Sequence, residues 1–107
     1  MDLKQYAIVL VNLDPTIGSE IKKTRPCVII SPNETNKYLN TIVIAPMTTN
    51  LKKYPTRVSV QHQGKKGMIA IDQIRTIDKR RIIRVFDELT QVEIDNCKNV
   101  LKETFVD

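Results

Sequence analysis

The clearest sign of the fold is the segment Thr56-Arg-Val-Ser-Val-Gln-His-Gln-Gly-Lys-Lys-Gly-Met-Ile-Ala-Ile-Asp72. Its first part, residues 56–61, alternates polar and apolar side chains, which is typical of a strand with one buried face. Residues 64–67 have the composition of a turn, and residues 68–72 are apolar enough for a second strand. The stretch therefore predicts an antiparallel hairpin.

Apolar and β-branched stretches on both sides of the hairpin predict further strands. They are residues 6–13, 27–31, 41–45, 74–77 and 82–86. Pro26 is expected at the opening of its strand, where no ladder bond is lost, and Pro46 is expected to end the next strand. The polar connection 14–24 is longer than most connections in compact domains, which indicates a functional loop.

The last segment has a helical period. Thr90 and Glu93 have the spacing of a capping box, and a stripe follows at three- and four-residue spacing, at Ile94, Cys97, Val100, Leu101, Thr104 and Phe105. We expect an amphipathic helix of about four turns that packs on the strands. About seven strands and this helix predict a mainly β fold, a small antiparallel barrel closed by a C-terminal helix, as one domain over residues 1–107.

Charge along the 107 residues is uneven, although the net value is only +5. Residues 1–86 hold 15 Lys or Arg and 6 Asp or Glu, whereas residues 87–107 hold 2 and 6. A basic body points to a polyanion or an acidic partner. With three Tyr, two Phe and no Trp, a stacking platform for single-stranded RNA is not expected. No membrane-spanning or signal segment is visible in the sequence, so we expect a cytoplasmic protein.

Few residues have the pattern of an enzyme site. Cys27 and Cys97 sit in apolar contexts and are expected in the core, and no spacing fits a zinc site, so neither metal nor cofactor is expected. The only histidine, His62, is expected to be exposed at the hairpin turn.

Polar residues do stand where strands are expected to end. Arg25 opens one strand, Thr48 and Thr49 follow another, and Asp72 ends a third, with Gln73 and Arg75 beside it. Arginine and hydroxyl donors suit a phosphodiester. An ordinary salt bridge between Arg25 and Asp72 is the alternative.

Three blocks of the sequence resemble the MazF/PemK family of toxin endoribonucleases from bacterial toxin–antitoxin pairs. They are Val11-Asn-Leu-Asp-Pro-Thr-Ile-Gly-Ser-Glu20 followed by Arg25-Pro-Cys-Val-Ile-Ile-Ser31, then Ala45-Pro-Met-Thr-Thr49, then Gly67-Met-Ile-Ala-Ile-Asp-Gln-Ile-Arg-Thr-Ile-Asp78. The resemblance implies an SH3-like barrel that works as a homodimer. It also implies a metal-independent, ribosome-independent enzyme that cuts single-stranded mRNA at a short motif, and an antitoxin partner with an acidic C-terminal segment.

By position, the resemblance implies that Arg25, Thr48 and Asp72 are catalytic. It also places Gly18, Ser19, Glu20, Lys22, Lys23 and Thr24 in the loop that borders the substrate groove. Together with Thr49, Gln73 and Arg75 beside the strand ends, they are the expected substrate-binding residues. Ser19 and Ala70 stand where some members have histidine and arginine, so no mechanism can use that histidine here.

The implied reaction is attack of a ribose 2′-OH on its own phosphate, which leaves a 2′,3′-cyclic phosphate and a 5′-OH. The acceptor of the 2′-OH proton is open between Asp72, water and a transiently neutral Arg25, with Asp72 or water favoured. Two other functions remain: a CcdB-like gyrase poison on the same fold, and an RNA-binding barrel without catalysis.

Overall fold

Residues 2–106, which the computed structural model describes, fold into seven strands and two α-helices. Their order is β1 (Ala7–Asn12), β2 (Thr24–Ile29), α1 (Asn33–Tyr38), β3 (Thr41–Thr48), β4 (Arg57–His62), β5 (Lys65–Ala70), β6 (Arg75–Asp78), β7 (Ile82–Glu88) and α2 (Gln91–Phe105). Short 3₁₀ turns at residues 71–73 and 79–81 lead into β6 and β7. The prediction of a mainly β fold with a C-terminal helix is confirmed.

The strands pair antiparallel in the order β4-β5-β3-β2-β1-β7, and β6 also pairs with β3. β3 is shared by two ladders, because its first half pairs with β6 while Met47 and Thr48 pair with β5. The sheet curls into a half-barrel. β4 and β7, at the two ends of the strand order, are joined by a side-chain contact rather than by backbone pairing: the ring centroids of His62 on β4 and Phe86 on β7 lie 4.8 Å apart.

Both faces of the central strands are buried, each in its own apolar cluster. Cys27 and Ile29 of β2 belong to one cluster and Val28 to the other, and all three are fully buried. Because successive side chains point to opposite faces, a strand buried on both faces needs an apolar residue at every position. This explains the unbroken apolar run in β2.

β2 begins at Thr24, so Pro26 lies inside the strand rather than at its opening as predicted. Thr24 and Arg25 already pair with β1, whereas pairing with β3 starts only at Cys27. The backbone N–H of Ile30 donates to the Val43 carbonyl of β3, so the backbone N–H groups of the even-numbered residues of β2 point toward β3. The nitrogen of Pro26 therefore points toward β3 at a position before that ladder begins, and its missing N–H is not needed.

β3 does not end at Pro46, where the sequence predicted its end, but continues to Thr48. The carbonyl of Val43 accepts the N–H of Ile30 on β2 at 2.8 Å, so the nitrogen of Pro46 faces the opposite edge. On that edge β3 pairs first with β6 and then with β5, and the 3₁₀ turn 71–73 between them leaves a gap in the pairing. Pro46 lies at this gap, where no backbone N–H has to donate, so proline is tolerated.

The turn between β4 and β5 is shorter than predicted. Gln63 and Gly64 have φ of 52° and 76°, His62 pairs with Lys65, and β5 begins at once. Two residues with positive φ match the twist of the flanking strands. Gly67 consequently lies in β5, where an added Cβ would stand 3.0 Å from the Thr48 carbonyl oxygen.

One element was not predicted at all. Residues 33–38, which fall between two of the predicted strands, form α1. The buried Asn36 holds this helix to the strands, because its side-chain amide donates to the carbonyls of Leu3 at 3.0 Å and Ser31 at 2.9 Å. An isolated six-residue helix is not stable, so these tertiary bonds decide its formation.

The predicted C-terminal helix is confirmed together with its capping box. Thr90 Oγ1 accepts the N–H of Glu93 at 3.2 Å, and the Glu93 carboxylate accepts the N–H of Thr90 at 2.9 Å. The stripe packs on the second cluster through Ile94, Cys97, Val100 and Leu101. Thr104 is exposed and Phe105 is 55% exposed, so the predicted place of both in the stripe was wrong. Neither α-helix of residues 2–106 is long and apolar enough to cross a bilayer.

Candidate active site

Arg25 and Thr48 line one cleft of about 210 Å³. Cys27 pairs with Pro46, so two residues further along the antiparallel strands Arg25 stands across from Thr48. The rest of the lining comes from the ends of β2 and β3 and from the β4–β5 hairpin, namely Pro26, Met47, Thr49, His62, Gln63, Lys65, Lys66 and Gly67. We call this space the Arg25 cleft.

Both polar residues of this pair are oriented by local hydrogen bonds. Arg25 is half-buried, and its Nε donates to the carbonyl of Lys22 at 2.9 Å, which sets the plane of the guanidinium. Thr48 Oγ1 accepts the N–H of Asn50 at 3.2 Å. A hydroxyl that accepts in this way keeps its own proton free to donate. The Arg25 cleft thus offers a forked cation and a neutral hydroxyl donor.

A second cleft, of about 360 Å³, lies beneath the long loop. Its lining is Ser19, Glu20, Ile21, Pro46, Asp72, Gln73, Ile74 and Arg75, and we call it the loop cleft. The consecutive residues Pro46 and Met47 line different clefts, since Pro46 borders the loop cleft while Met47 borders the Arg25 cleft together with Thr48 and Thr49. The residues predicted from the sequence are therefore divided: Thr49 joins Arg25 and Thr48, whereas Asp72, Gln73 and Arg75 join the loop.

Two of the predicted substrate residues hold the loop itself. Gln73 Oε1 accepts the N–H of Ile21 at 2.7 Å, and the guanidinium of Arg75 donates to the carbonyl of Leu13 at 3.1 Å. The other predicted residues of this segment, Gly18, Ser19, Glu20, Lys22, Lys23 and Thr24, are exposed, and the last of them lies in β2. The loop is thus anchored at its base and open to solvent along its length.

Asp72 is bound by two neighbours. Its carboxylate accepts Arg57 Nε at 2.8 Å and Nη2 at 3.3 Å, and it accepts the Thr56 hydroxyl at 2.9 Å. Burial alone would raise the pKa of Asp72, but the hydrogen bonds from Arg57 and Thr56 outweigh it and leave the pKa below its usual value. The carboxylate lies in a 3₁₀ turn rather than at a strand end, and it is a weaker base than a free aspartate.

We expect Asp72→Asn to destabilise the fold at neutral pH. The pKa of Asp72 is lower in the folded chain, so its stabilisation is present above the ordinary carboxyl pKa and disappears as the pH falls through the lowered value. Because the Asp72 side chain is 34% exposed, solvent screens the pair, and we expect a loss of about 1 kcal/mol. Urea unfolding at pH 7 and at about pH 3 measures the difference in unfolding free energy between wild type and Asp72→Asn, and this difference should be smaller in acid. The exposed Asp87→Asn is the control, and an equal loss at both pH values would contradict the ion-pair explanation.

His62 is not the exposed turn residue that the sequence predicted. It ends β4, is half-buried against Phe86, and lines the Arg25 cleft, and its Nε2 is buried without a hydrogen-bond partner in the described structure. One signal could have revealed this position, since His62 continues the alternation of Val58 and Val60. Those two side chains are buried in the second cluster, and His62 shares their face.

The other reactive groups do not add a site. Cys27 and Cys97 are free thiols buried in the two clusters, as predicted, and burial raises the pKa of each to about 12. Neither forms a thiolate near neutral pH. In the described part of the chain, no three His, Cys, Asp or Glu side chains gather into a metal-binding group.

Comparison with known proteins gives one family. Residues 4–105 match the family model described as PemK-like, MazF-like toxin of type II toxin-antitoxin system. The protein of Staphylococcus epidermidis named Endoribonuclease MazF is 34% identical over 107 residues, covering 92% of this chain and 89% of that protein.

Solved structures share the fold. The crystal structure of MazF from Deinococcus radiodurans superposes with a TM-score of 0.83 at 24% identity, covering 94% of this chain and 93% of that one. An endoribonuclease from Mycobacterial species, solved in complex with its cognate antitoxin, superposes with a TM-score of 0.79 at 20% identity, covering 94% and 91%. At these identities the likeness concerns the half-barrel and its helix.

Proposed function

This chain belongs to the PemK-like, MazF-like family and is a toxin endoribonuclease of a toxin–antitoxin system, and from this premise we propose that it cuts single-stranded RNA in the Arg25 cleft. The observation that carries the proposal is the meeting of Arg25 and Thr48 in one cleft, with Lys65 and Lys66 in its lining. An arginine fork matches two phosphate oxygens, and lysines add charge that draws in the backbone.

The proposed reaction is transesterification without a metal ion. The ribose 2′-oxygen attacks the adjacent phosphorus, the bond from phosphorus to the 5′-oxygen breaks, and the products are a 2′,3′-cyclic phosphate and a 5′-OH. Negative charge grows on the non-bridging oxygens, and Arg25 neutralises it while the Thr48 hydroxyl donates a hydrogen bond. The bond from Arg25 to Lys22 keeps the guanidinium oriented before the substrate arrives.

The proposed path of the RNA continues across the loop cleft. The exposed loop residues Gly18, Ser19, Glu20, Lys22 and Lys23, with Thr24, Thr49, Gln73 and Arg75, would choose the bases and so set the short cleavage motif. Asp72 serves this path as a positioning residue, because its oxygens already accept Arg57 and Thr56. The whole chain, residues 1–107, acts in this proposal as a single toxin domain.

The proposed partners are a second copy of the chain and an acidic antitoxin. The mycobacterial structure similar to this chain holds a cognate antitoxin. Here residues 1–86 carry an excess of nine positive charges and residues 87–107 an excess of four negative ones, so an acidic segment would be drawn to the strands and clefts rather than to α2. Such a segment would compete with RNA for the same basic surface.

The test of the proposed function is the chemistry of the product ends. Purified protein with a 5′-labelled RNA in excess EDTA should give fragments with 2′,3′-cyclic phosphate and 5′-OH termini, because no step needs a metal ion. Enzymatic end-labelling and acid opening of the cyclic phosphate identify the two ends. An RNA with a single 2′-deoxyribose at the cut site is the matched control and should stay intact. Complete loss of activity in EDTA, or 5′-phosphate products, would contradict the scheme.

A further inference from the structure

Neither Arg25 nor Thr48 in the Arg25 cleft can accept the 2′-OH proton. A guanidinium stays protonated, and a threonine hydroxyl is a donor here. Asp72 lines the other cleft and is engaged with Arg57 and Thr56. Among residues 2–106, the side chains that line the Arg25 cleft include no carboxylate.

The one side chain in this cleft with an imidazole, the commonest general base in proteins, is His62. It is the only histidine of the 107 residues. The strand places it there: β4 ends at His62, and the turn at Gln63 and Gly64 brings Lys65 and Lys66 of β5 back along the same cleft. Arg25 and Thr48 line the same cleft of about 210 Å³.

The hydrogen bonding of His62 is incomplete. Its ring packs edge-on against Phe86, and Nε2 is buried with no partner in the described structure. A buried polar atom without a partner is unfavourable, and in folded proteins such atoms need an explanation. An unpaired imidazolium N–H would be costlier still out of water than an unpaired lone pair. Nε2 therefore fits a lone-pair nitrogen better than an unpaired donor, and a lone pair is what accepts a proton.

We propose that His62 is the general base of the RNA cleavage reaction, which takes the 2′-OH proton on Nε2. This inference rests on the proposed function. As RNA fills the cleft, the ring turns from Phe86 so that Nε2 meets the 2′-OH. The O–H bond breaks and its proton moves to Nε2, the 2′-oxygen bonds to phosphorus, and the bond to the 5′-oxygen breaks. That oxygen keeps the electron pair and takes a proton from water, while the imidazolium later releases its proton to solvent.

The first test is single-turnover cleavage by His62→Gln and His62→Ala. Removing a general base should lower the rate by about 10²–10⁴-fold, while the Kd for a 2′-deoxy oligonucleotide should change less than about threefold. Added imidazole should restore part of the His62→Ala rate. Gln61→Ala is the matched control, since this exposed side chain precedes His62 on the same strand and should leave the rate unchanged. Rates of both His62 variants within about threefold of wild type would overturn the inference.

A substrate with sulfur in place of the 5′-oxygen distinguishes a general-base role of His62 from a general-acid role. Sulfur leaves without a proton, so the deficit of His62→Gln should persist with this substrate if His62 acts on the 2′-OH. Disappearance of the deficit would make His62 the acid and overturn the proposal. Wild-type cleavage that requires Arg25 but not His62 would remove this inference and leave the proposed function standing. A wild-type protein that cuts no RNA would remove both.

The wild-type protein gives a second readout that needs no variant. Because the chain has one histidine, ¹⁵N spectra of the imidazole contain a single pair of ring signals. We expect the free protein to show Nε2 as an unprotonated nitrogen, and we expect that signal to shift when a 2′-deoxy oligonucleotide binds. An Nε2 signal that is protonated in the free protein, or that does not change on binding, would contradict the proposed contact.

Discussion

Replacing Arg25 by alanine is expected to reduce RNA cleavage by about 10³–10⁵-fold, because in the proposed reaction this cation neutralises the phosphate in the transition state. The fold should be unaffected. Arg25 is half-buried at the start of β2, outside both apolar clusters, and among residues 2–106 its side chain hydrogen-bonds only to the Lys22 carbonyl. Single-turnover cleavage of a labelled RNA measures the effect, with circular dichroism melting as the check on folding.

Two further variants make this result specific. Arg80→Ala removes the same charge from a side chain that is 90% exposed and paired with Asp78, and it should cleave RNA nearly as wild type does. Arg25→Lys keeps the charge without the fork, so it should fall between wild type and Arg25→Ala. Cleavage by Arg25→Ala at the wild-type rate would contradict the site. Toxicity that survives in Arg25→Ala cells with intact RNA and damaged DNA would favour the gyrase-poison alternative.

Truncating Ile44 to alanine is expected to cost about 2–5 kcal/mol of the free energy of unfolding. Ile44 is fully buried at the middle of β3, where it pairs with Ile29 of β2 and with Arg75 of β6. A cavity there lies where two ladders join, so the neighbouring strands cannot close it. The melting temperature should fall on the order of 10–20 °C at equal protein concentration.

Ile83→Ala is the matched control for this substitution. The same groups are removed, but the Ile83 side chain is 58% exposed on β7, so the expected change in melting temperature is small. Calorimetry of the two variants beside wild type gives the comparison. Equal losses at Ile44 and Ile83 would mean that β7 is covered in solution, and a loss below about 1 kcal/mol at Ile44 would contradict the buried position.

Most of the architecture could be predicted because its causes are local. The capping pattern at Thr90 and Glu93 starts α2 through two bonds between residues three apart. The unbroken apolar run of β2 indicates a strand buried on both faces, and each face has its own cluster. Resemblance to the family supplied Arg25 and Thr48, and the β2–β3 register then places them across one cleft.

Errors arose where a distant part of the chain decided the local structure. Pro46 does not end β3, because the chain turns away from β3 at residues 71–73. No strand pairs with β3 at the position where the missing N–H of Pro46 would have donated. α1 is too short to form by itself and depends on the bonds from Asn36 to Leu3 and Ser31.

Sequence patterns alone were enough to predict the strand segments, the start of α2, the division of charge along the chain and the family resemblance. The membership of each cleft, in contrast, follows from tertiary structure. The tertiary structure separates Asp72 from Arg25 and Thr48 and brings in His62. Propensity, capping and alternation depend on neighbours a few residues apart, whereas a cleft depends on register between strands that are distant in sequence. A single-residue change in register exchanges the two faces of a strand, and therefore the residues that meet in each cleft.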